Sequence, residues 1–287
     1  MENFITEGGF RTLSMVFVVG GLVVLLAAEN LRPLRARRKA RPGRYLTNAV
    51  ITGLAMLAGA MAVRPVGLGL AYLSQTQTFG ALNWIDLPGW ARFAAGFLLM
   101  DLTFYYWHRF NHTIHFLWRF HSVHHSDPDL DVTTSMRFHF GEVLLSTFFR
   151  AVQVAAIGIA PVTYIVYEAS FSLATLFHHS NLKMPVRVEA VLNRILVTPR
   201  MHGIHHSVVR SELNSNYSVI FRWWDALNRS LVLNVPQSAI TIGVGRFAGA
   251  GDNGIWRLVT QPFGKFRRER PARLPRFGSS DLGRMVE

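Results

Sequence analysis

The chain has 287 residues, of which half are apolar and 16% are charged, and its formal net charge is +13. This balance is typical of a membrane protein, and the chain offers no basic, aromatic-interleaved soluble domain for a nucleic-acid partner. Because the sequence contains no cysteine, disulfides, iron–sulfur clusters, thiolate–zinc sites and a cysteine nucleophile are excluded. Any bound metal must be held by histidine, carboxylate, amide or water ligands.

The first apolar stretch predicts a membrane-spanning helix. It runs from Leu13 to Ala28 and, with its neighbours, approaches the roughly 20 residues that a bilayer requires. Seven Arg and Lys residues follow between positions 32 and 44, which is typical of the cytoplasmic end of a span. Glu2 and Glu7 lie where a secretory signal would carry positive charge, so we expect no cleaved signal and an outward-facing N-terminus.

Two further apolar runs predict a second and a third span. The second run, Ala49 to Leu73, is interrupted by Arg64 and Pro65, so it is expected to kink or to end near Val63. Residues 74–90 contain no Lys or Arg, as expected on the outer side. The third span, Ala91 to Trp107, returns the chain to the basic side, where the histidines begin.

A pair of shorter apolar segments, Val143 to Ala160 and Val162 to Phe177, meets at Pro161 and predicts a helical hairpin. Arg150 and Glu168 interrupt the two segments, so the hairpin either spans the bilayer or is re-entrant. In both cases its C-terminal end returns to the basic side.

The predicted fold is therefore all-α. It is an integral-membrane helical bundle of about three spans plus a helical hairpin, capped by a cytosolic, helical, histidine-rich domain. We expect three regions: an N-terminal transmembrane region with the basic loop at 1–90, a histidine-rich domain at 91–235, and a basic, partly disordered tail at 236–287. The histidine site and the C-terminus are expected on the cytoplasmic side.

All twelve histidines lie between positions 108 and 206, and most have helical spacing. A pair four residues apart shares one helix face, and so does each triplet spaced i, i+3, i+4. The pair is His108 and His112; the triplets are His121, His124 and His125, and His202, His205 and His206. Eight such nitrogen ligands are too many for one ion, so two metals are predicted, and neutral imidazole suits zinc, copper, iron and nickel.

The surrounding residues narrow the chemistry. The sequence has no HExxH, no GxSxG and no P-loop motif, so a glutamate-based metalloprotease or a serine hydrolase has no support. A GxGxxG match at 249–254 follows no predicted strand and therefore indicates no dinucleotide-binding unit. A histidine-only site without a hydrolytic base indicates redox-active iron and O2 activation, although zinc would accept the same ligands. Asp101 is expected to orient a ligand imidazole, whereas His115 is expected to bind no metal.

The stretch from about Ala91 to Arg229 resembles the fatty acid hydroxylase/sterol desaturase superfamily of integral-membrane non-haem di-iron enzymes. The resemblance rests on the HxxxH motif and the two HxxHH motifs, and neighbouring positions also match. These positions are Asp101, Tyr105-Tyr106, Trp107-His108-Arg109, Leu117-Trp118, Arg137-Phe138-His139, Phe177-His178-His179-Ser180-Asn181, Thr198-Pro199, Asn216-Tyr217 and Trp224-Asp225. Departures at Phe140, Ser218 and Asn228-Arg229 remove no ligand but leave the substrate subclass open.

The resemblance implies two iron ions, O2 as co-substrate and hydroxylation of a lipid C–H bond, or desaturation at the same site. It also implies a further ligand, His178 or His179, and supporting roles for His139, Asn181 and Asp225. Zinc can replace iron in purified samples. Because the sequence has no flavin, nicotinamide or haem-binding motif, electrons must come from an external reductase, ferredoxin or cytochrome.

Two other function classes stay open on the ligand list alone, a histidine-rich zinc carrier and a zinc-dependent lipid hydrolase. A carrier would place polar ligands along a path within the spans, whereas these histidines lie at the ends of the spans or beyond them. The lipid itself, among sterols, acyl chains, ether lipids, sphingoid bases and carotenoids, is not specified by the sequence.

Overall fold

The computed structural model describes residues 2–37, 41–245 and 253–264. Throughout these ranges the regular structure is helical, and extended backbone contributes only isolated bridges. The all-α prediction is therefore confirmed. Of the predicted basic tail, residues 246–252 and 265–287 lie outside the described residues.

The first two predicted spans are long helices. Helix α1 covers Glu2–Leu31. Helix α2, Arg41–Ala58, continues through a π-helical turn at Gly59–Val63 into α3, Arg64–Thr76. The widened turn lies immediately before Pro65, which has no backbone N–H to donate to the preceding turn. The predicted interruption is thus a π-helical turn within one continuous helix.

The histidine-bearing part begins with two helices joined by a sharp bend. Helix α4 covers Gly89–Thr113 and α5 covers His115–His125, with Ile114 in an extended conformation between them. The hairpin follows as α6, Phe140–Ile157, and α7, Pro161–His179. Gly158, at a φ of 73°, ends α6 in the left-handed conformation that glycine adopts without strain.

Five short helices complete the described chain. They are α8, Val186–Leu192; α9, Pro199–His205; α10, Arg210–Leu213; α11, Trp223–Leu227; and α12, Ile255–Thr260.

Three helical stretches in the described ranges are long and apolar enough to cross a membrane: Thr12–Leu31, Pro42–Asn83 and Phe140–Ile157. Neither α4 nor α7, predicted as a span and a hairpin arm, is among them, because polar side chains lower their hydropathy. Both helices instead pack against other helices of the bundle. Helix α7 packs against α1, and α4 packs against both α6 and α7.

Two features position the histidine-bearing helices. An apolar core joins α4, α6 and α7 through Met100, Val154 and Tyr167, and Ile220 from the segment before α11 inserts into it. A buried ion pair joins α2 to the loop after α5, where the Arg44 guanidinium lies 2.7 Å from the Asp127 carboxylate. The Asn48 side-chain amide also donates to Asp127, at 3.0 Å. The basic end of α2 is therefore held against the end of the first histidine triplet.

Candidate metal centre

The structure brings nine histidines from four helices into two neighbouring groups. In each group, one potential ligand atom per residue lies within 4.8 Å of all the others. Group one is His108, His112, His121, His125 and His205; group two is His124, His179, His202 and His206. The rings predicted from distant segments to converge do so.

Each triplet is divided between the groups, and helix geometry explains the division. At about 100° per residue, positions i and i+4 differ by about 40°, whereas i+3 lies about 60° to the other side of i. His121 and His125 accordingly point into group one while His124 points into group two. In the second triplet the i, i+4 pair enters group two, and the i+3 residue, His205, enters group one. The first triplet therefore gives two rings to group one and one to group two, whereas the second triplet gives one ring to group one and two to group two.

Hydrogen bonds determine which nitrogen carries the proton in two members of group one. His108 Nδ1 donates to the Tyr217 carbonyl oxygen at 2.7 Å, and His205 Nδ1 donates to the Ser215 carbonyl oxygen at 2.7 Å. A neutral imidazole has one N–H, so each Nε2 presents a lone pair. These two Nε2 atoms are 3.1 Å apart. Two facing lone pairs repel each other unless a cation lies beside both.

Group two repeats this arrangement. His179 Nδ1 donates to the Thr175 carbonyl oxygen at 2.8 Å, which leaves its Nε2 as a lone pair. That atom lies 3.0 Å from the Nε2 atoms of both His124 and His202. The Nε2 atoms of His202 and His206 are 3.1 Å apart. All four Nε2 atoms therefore surround one small volume.

The remaining members of group one also present free nitrogens. His121 Nδ1 is 2.8 Å from a Glu142 carboxylate oxygen, and its buried Nε2 has no hydrogen-bond partner in the described chain. Both ring nitrogens of His112 and of His125 likewise have no partner there. Buried polar atoms are nearly always hydrogen-bonded, so this concentration of unpaired nitrogens fits metal ligation.

The protonation state also fits metal ligation. Burial lowers the pKa of His125, His205 and His206 well below the ordinary 6.5, and the neighbouring imidazoles lower it further because a proton on one ring would face charge on another. The rings are thus neutral at pH 7, as metal coordination requires.

Comparison with known proteins identifies the chain. Residues 93–230 match the fatty acid hydroxylase family. Residues 93–230 therefore form a fatty acid hydroxylase domain. This family consists of metal-dependent oxygenases, and the two histidine groups are clusters of the kind that binds metal.

Several proteins of known name are similar to this chain. Ornithine lipid hydroxylase OlsE of Rhizobium tropici is 26% identical over 88% of this chain and 76% of its own length. Human alkylglycerol monooxygenase is 28% identical over 54% of this chain and 33% of its own length. Mouse cholesterol 25-hydroxylase is 27% identical over 51% of this chain and 49% of its own length. No solved structure matches. Together with the apolar helices, these relatives make the chain a membrane protein.

Two carboxylates predicted to support the ligands of the family centre act through the backbone. Asp101 accepts hydrogen bonds from the Trp224 indole at 2.7 Å and from the Phe221 N–H at 3.1 Å, and it bonds no imidazole. Asp225 accepts from the Tyr217 N–H at 2.8 Å, and the carbonyl of that same residue receives His108 Nδ1–H. Asp225 also accepts from the Ser218 N–H at 2.9 Å. Because this N–H and the Tyr217 carbonyl share one peptide unit, Asp225 orients His108 through that unit.

The other residues singled out in the sequence belong to neither group. His139 caps the N-terminus of α6, with Nδ1 accepting from the Gly141 N–H at 2.9 Å. Asn181 exchanges two hydrogen bonds of 2.9 Å with the backbone of Arg35. His178 donates from Nδ1 to the Val219 carbonyl oxygen at 3.1 Å and is in neither group. His115 is exposed at the start of α5, away from both groups.

The residues that orient the imidazoles were largely missed by sequence reasoning. Glu142 is the clearest case, because its signal was present: it is the only acidic residue of α6, and it lies in the first turn. The carbonyl groups of Thr175, Ser215 and Tyr217 carry no sequence signal, since every residue has a carbonyl. Asn216, at a φ of 54°, turns the chain between two of these carbonyls.

Proposed function

We propose that this protein is an O2-dependent membrane lipid hydroxylase that binds one iron ion in each histidine group. The observation that carries the proposal is the arrangement of the Nε2 atoms. The buried imidazoles of His108, His179 and His205 already donate their Nδ1–H groups to carbonyls, and their Nε2 lone pairs face neighbouring Nε2 atoms at 3.0–3.1 Å. Ligating histidines in metalloproteins characteristically donate their second nitrogen in this way.

When bound, the two iron ions would supply the activation of O2 for the overall conversion of a lipid C–H, O2, two electrons and two protons into C–OH and water. The nine imidazoles hold the ions, and His179, rather than His178, is the ligand that we assign from α7. Glu142 and the three carbonyls hold four of these rings in the tautomer that exposes Nε2, namely His121, His108, His179 and His205. We assign the catalytic domain to residues 91–235, which contain both groups.

Aromatic side chains exclude water around the groups. The Phe138 ring stacks on His124 with centroids 4.5 Å apart, and Trp118 lies 5.1 Å from His112 and 5.6 Å from His125. An apolar enclosure keeps the imidazoles neutral and limits unproductive reduction of O2.

The substrate that we propose is an amphiphilic membrane lipid. The relatives are named for an ornithine lipid, an alkylglycerol and cholesterol, which share an apolar body and a polar group. All three are hydroxylases or monooxygenases by name, which favours hydroxylation over desaturation. The electrons would come from an external reductase, ferredoxin or cytochrome.

We place the site on the cytoplasmic side of the membrane. The basic segment that follows α1 is packed against the histidine-bearing part, since Arg35 donates to the Pro199 carbonyl oxygen at 2.8 Å, at the start of α9. Arg44, at the other end of the basic segment, pairs with Asp127, just after α5. The positive-inside tendency of such segments then assigns both histidine groups to the cytoplasmic face.

The test is isotope incorporation into membrane lipids. Membranes containing the protein, a reductase system and ¹⁸O2 are expected to yield lipids heavier by one ¹⁸O atom, and membranes with His205→Ala are not. Label entering from H2¹⁸O instead would indicate hydrolysis, and metal transport with no change in any lipid would indicate a carrier. Loss of two hydrogens without oxygen gain would assign desaturation. Each of these three results contradicts the proposal.

A further inference from the structure

Helices α8 and α11 form one surface that is both apolar and exposed. Six large apolar side chains lie on it, including Val186, which is 67% exposed, and Leu227, which is 72% exposed. The full set is Val186, Val188, Val191, Ile195, Trp223 and Leu227. Exposed apolar patches of this kind on a folded protein mark an interaction surface.

The two helices are joined into one unit by the chain around them. The Arg222 N–H donates to the Ile195 carbonyl oxygen at 3.0 Å, and the Trp223 indole donates to the Arg194 carbonyl oxygen at 3.2 Å. Leu196 and Phe221 form an isolated bridge between them. The turn after α8 and the start of α11 are therefore held side by side.

The exposed charges on this surface have one sign. Arg187, Arg194 and Arg229 are exposed. The two carboxylates of the same segments are buried: Glu189 pairs with Arg200 at 2.7 Å, and Asp225 binds backbone N–H groups. Apolar side chains flanked only by cations are the composition of a surface that lies in the headgroup region of an anionic leaflet.

This surface lies beside α4, which packs against the candidate span α6, and this position places it at bilayer depth. Phe221 lies 6.2 Å, centroid to centroid, from Phe97, and it stacks on Trp223 at 4.5 Å. Phe97 precedes His108 by eleven residues, which is about 16 Å along a helix. Asp101, on α4, holds the segment before α11 against that helix by accepting a hydrogen bond from the Phe221 N–H. Phe93, one turn before Phe97, is itself partly exposed and extends the apolar surface along α4.

We propose that α8 and α11 form an in-plane membrane-binding element, whose apolar side chains enter the cytoplasmic leaflet while Arg187 and Arg194 bind the phosphates of anionic lipids. The element does not span; it lies against the leaflet beside α4. It extends the membrane contact of the protein beyond the three candidate spans. Its role does not depend on which reaction the histidine groups perform.

The native absence of cysteine makes the test direct, because a single introduced cysteine carries the only thiol. Val188→Cys and Leu227→Cys would each carry an environment-sensitive fluorophore in nanodiscs that contain phosphatidylglycerol. Ser238→Cys is the matched control: it is exposed, and its neighbour Gln237 bonds Arg35 in the basic segment outside the spans. Size-exclusion profiles verify that each variant is folded.

Labels at Val188 and Leu227 are expected to be quenched severalfold more by lipid-borne nitroxides than by aqueous iodide, and the label at Ser238 is expected to show the reverse. Nitroxide quenching of the labels at Val188 and Leu227 is expected to be stronger in phosphatidylglycerol discs than in phosphatidylcholine discs. Adding Arg187→Gln and Arg194→Gln should remove this difference. Iodide quenching at Val188 equal to that at Ser238 would overturn the proposal. If the labels are protected from both quenchers, and this protection disappears at one copy per disc, the surface contacts a second copy of the chain. That result would also overturn the proposal.

Discussion

Replacing Glu142 by Gln is expected to weaken metal binding in group one while leaving group two intact. Glu142 accepts from His121 Nδ1 at 2.8 Å, and both side chains are less than a tenth exposed, so solvent screens their interaction little. Gln keeps an acceptor oxygen but removes the negative charge that holds the imidazole tautomer. Loss of such an outer carboxylate typically costs about 10- to 100-fold in metal affinity. That range corresponds to about 1.4–2.8 kcal/mol.

The assay is competition with a chelator, followed by counting the metal retained per chain. Wild-type protein should release its two ions at similar chelator concentrations, whereas Glu142→Gln should release one ion about tenfold or more earlier. Glu168→Gln is the matched control, because it removes an equal charge from an ion pair with Arg150, 2.9 Å away, that touches no histidine. Equal release curves for wild type and Glu142→Gln, or early loss of both ions in the Glu168 control, would refute the reasoning.

Three further outcomes are expected. His205→Ala should abolish lipid oxidation in protein that is still membrane-inserted, whereas His115→Ala should retain full turnover; turnover in the first variant would exclude its ligand role. His179→Ala should lose metal from group two while His178→Ala keeps both ions, measured by elemental analysis, and the reverse pattern would exchange their roles. In metal-free protein, burial depresses the pKa values of His125, His205 and His206, so the unfolded chain binds protons first as the pH falls below about 6.5, and the stability present above that pH is lost. The thermal midpoint should therefore fall on acidification, and a flat profile from pH 7 to pH 5 would contradict this.

The helices and the convergence of the histidines were predictable because local signals specify both. Apolar length predicted α1 and the continuous α2–α3 helix, and Pro65 marked the π-helical turn. Spacings of three and four residues specified shared helix faces. The same spacings also predict that each triplet is divided between two groups, because the i+3 ring lies on the opposite side of i from the i+4 ring.

Contacts between distant segments were not predictable from local patterns. Asp101 was expected beside an imidazole, yet it accepts a hydrogen bond from the Phe221 backbone. The reason is that the segment before α11 runs along α4 and packs into the apolar core. The Arg44–Asp127 ion pair joins positions 83 residues apart. The assignment of α4 as a span rested on its apolar residues alone, whereas its polar side chains are buried against neighbouring helices.

Anomalous scattering at the iron edge, from crystals of protein purified with iron, tests the central claim most directly. The account predicts two peaks, one among the Nε2 atoms of group one and the other among those of group two. A single peak shared by both groups, or peaks outside them, would contradict it.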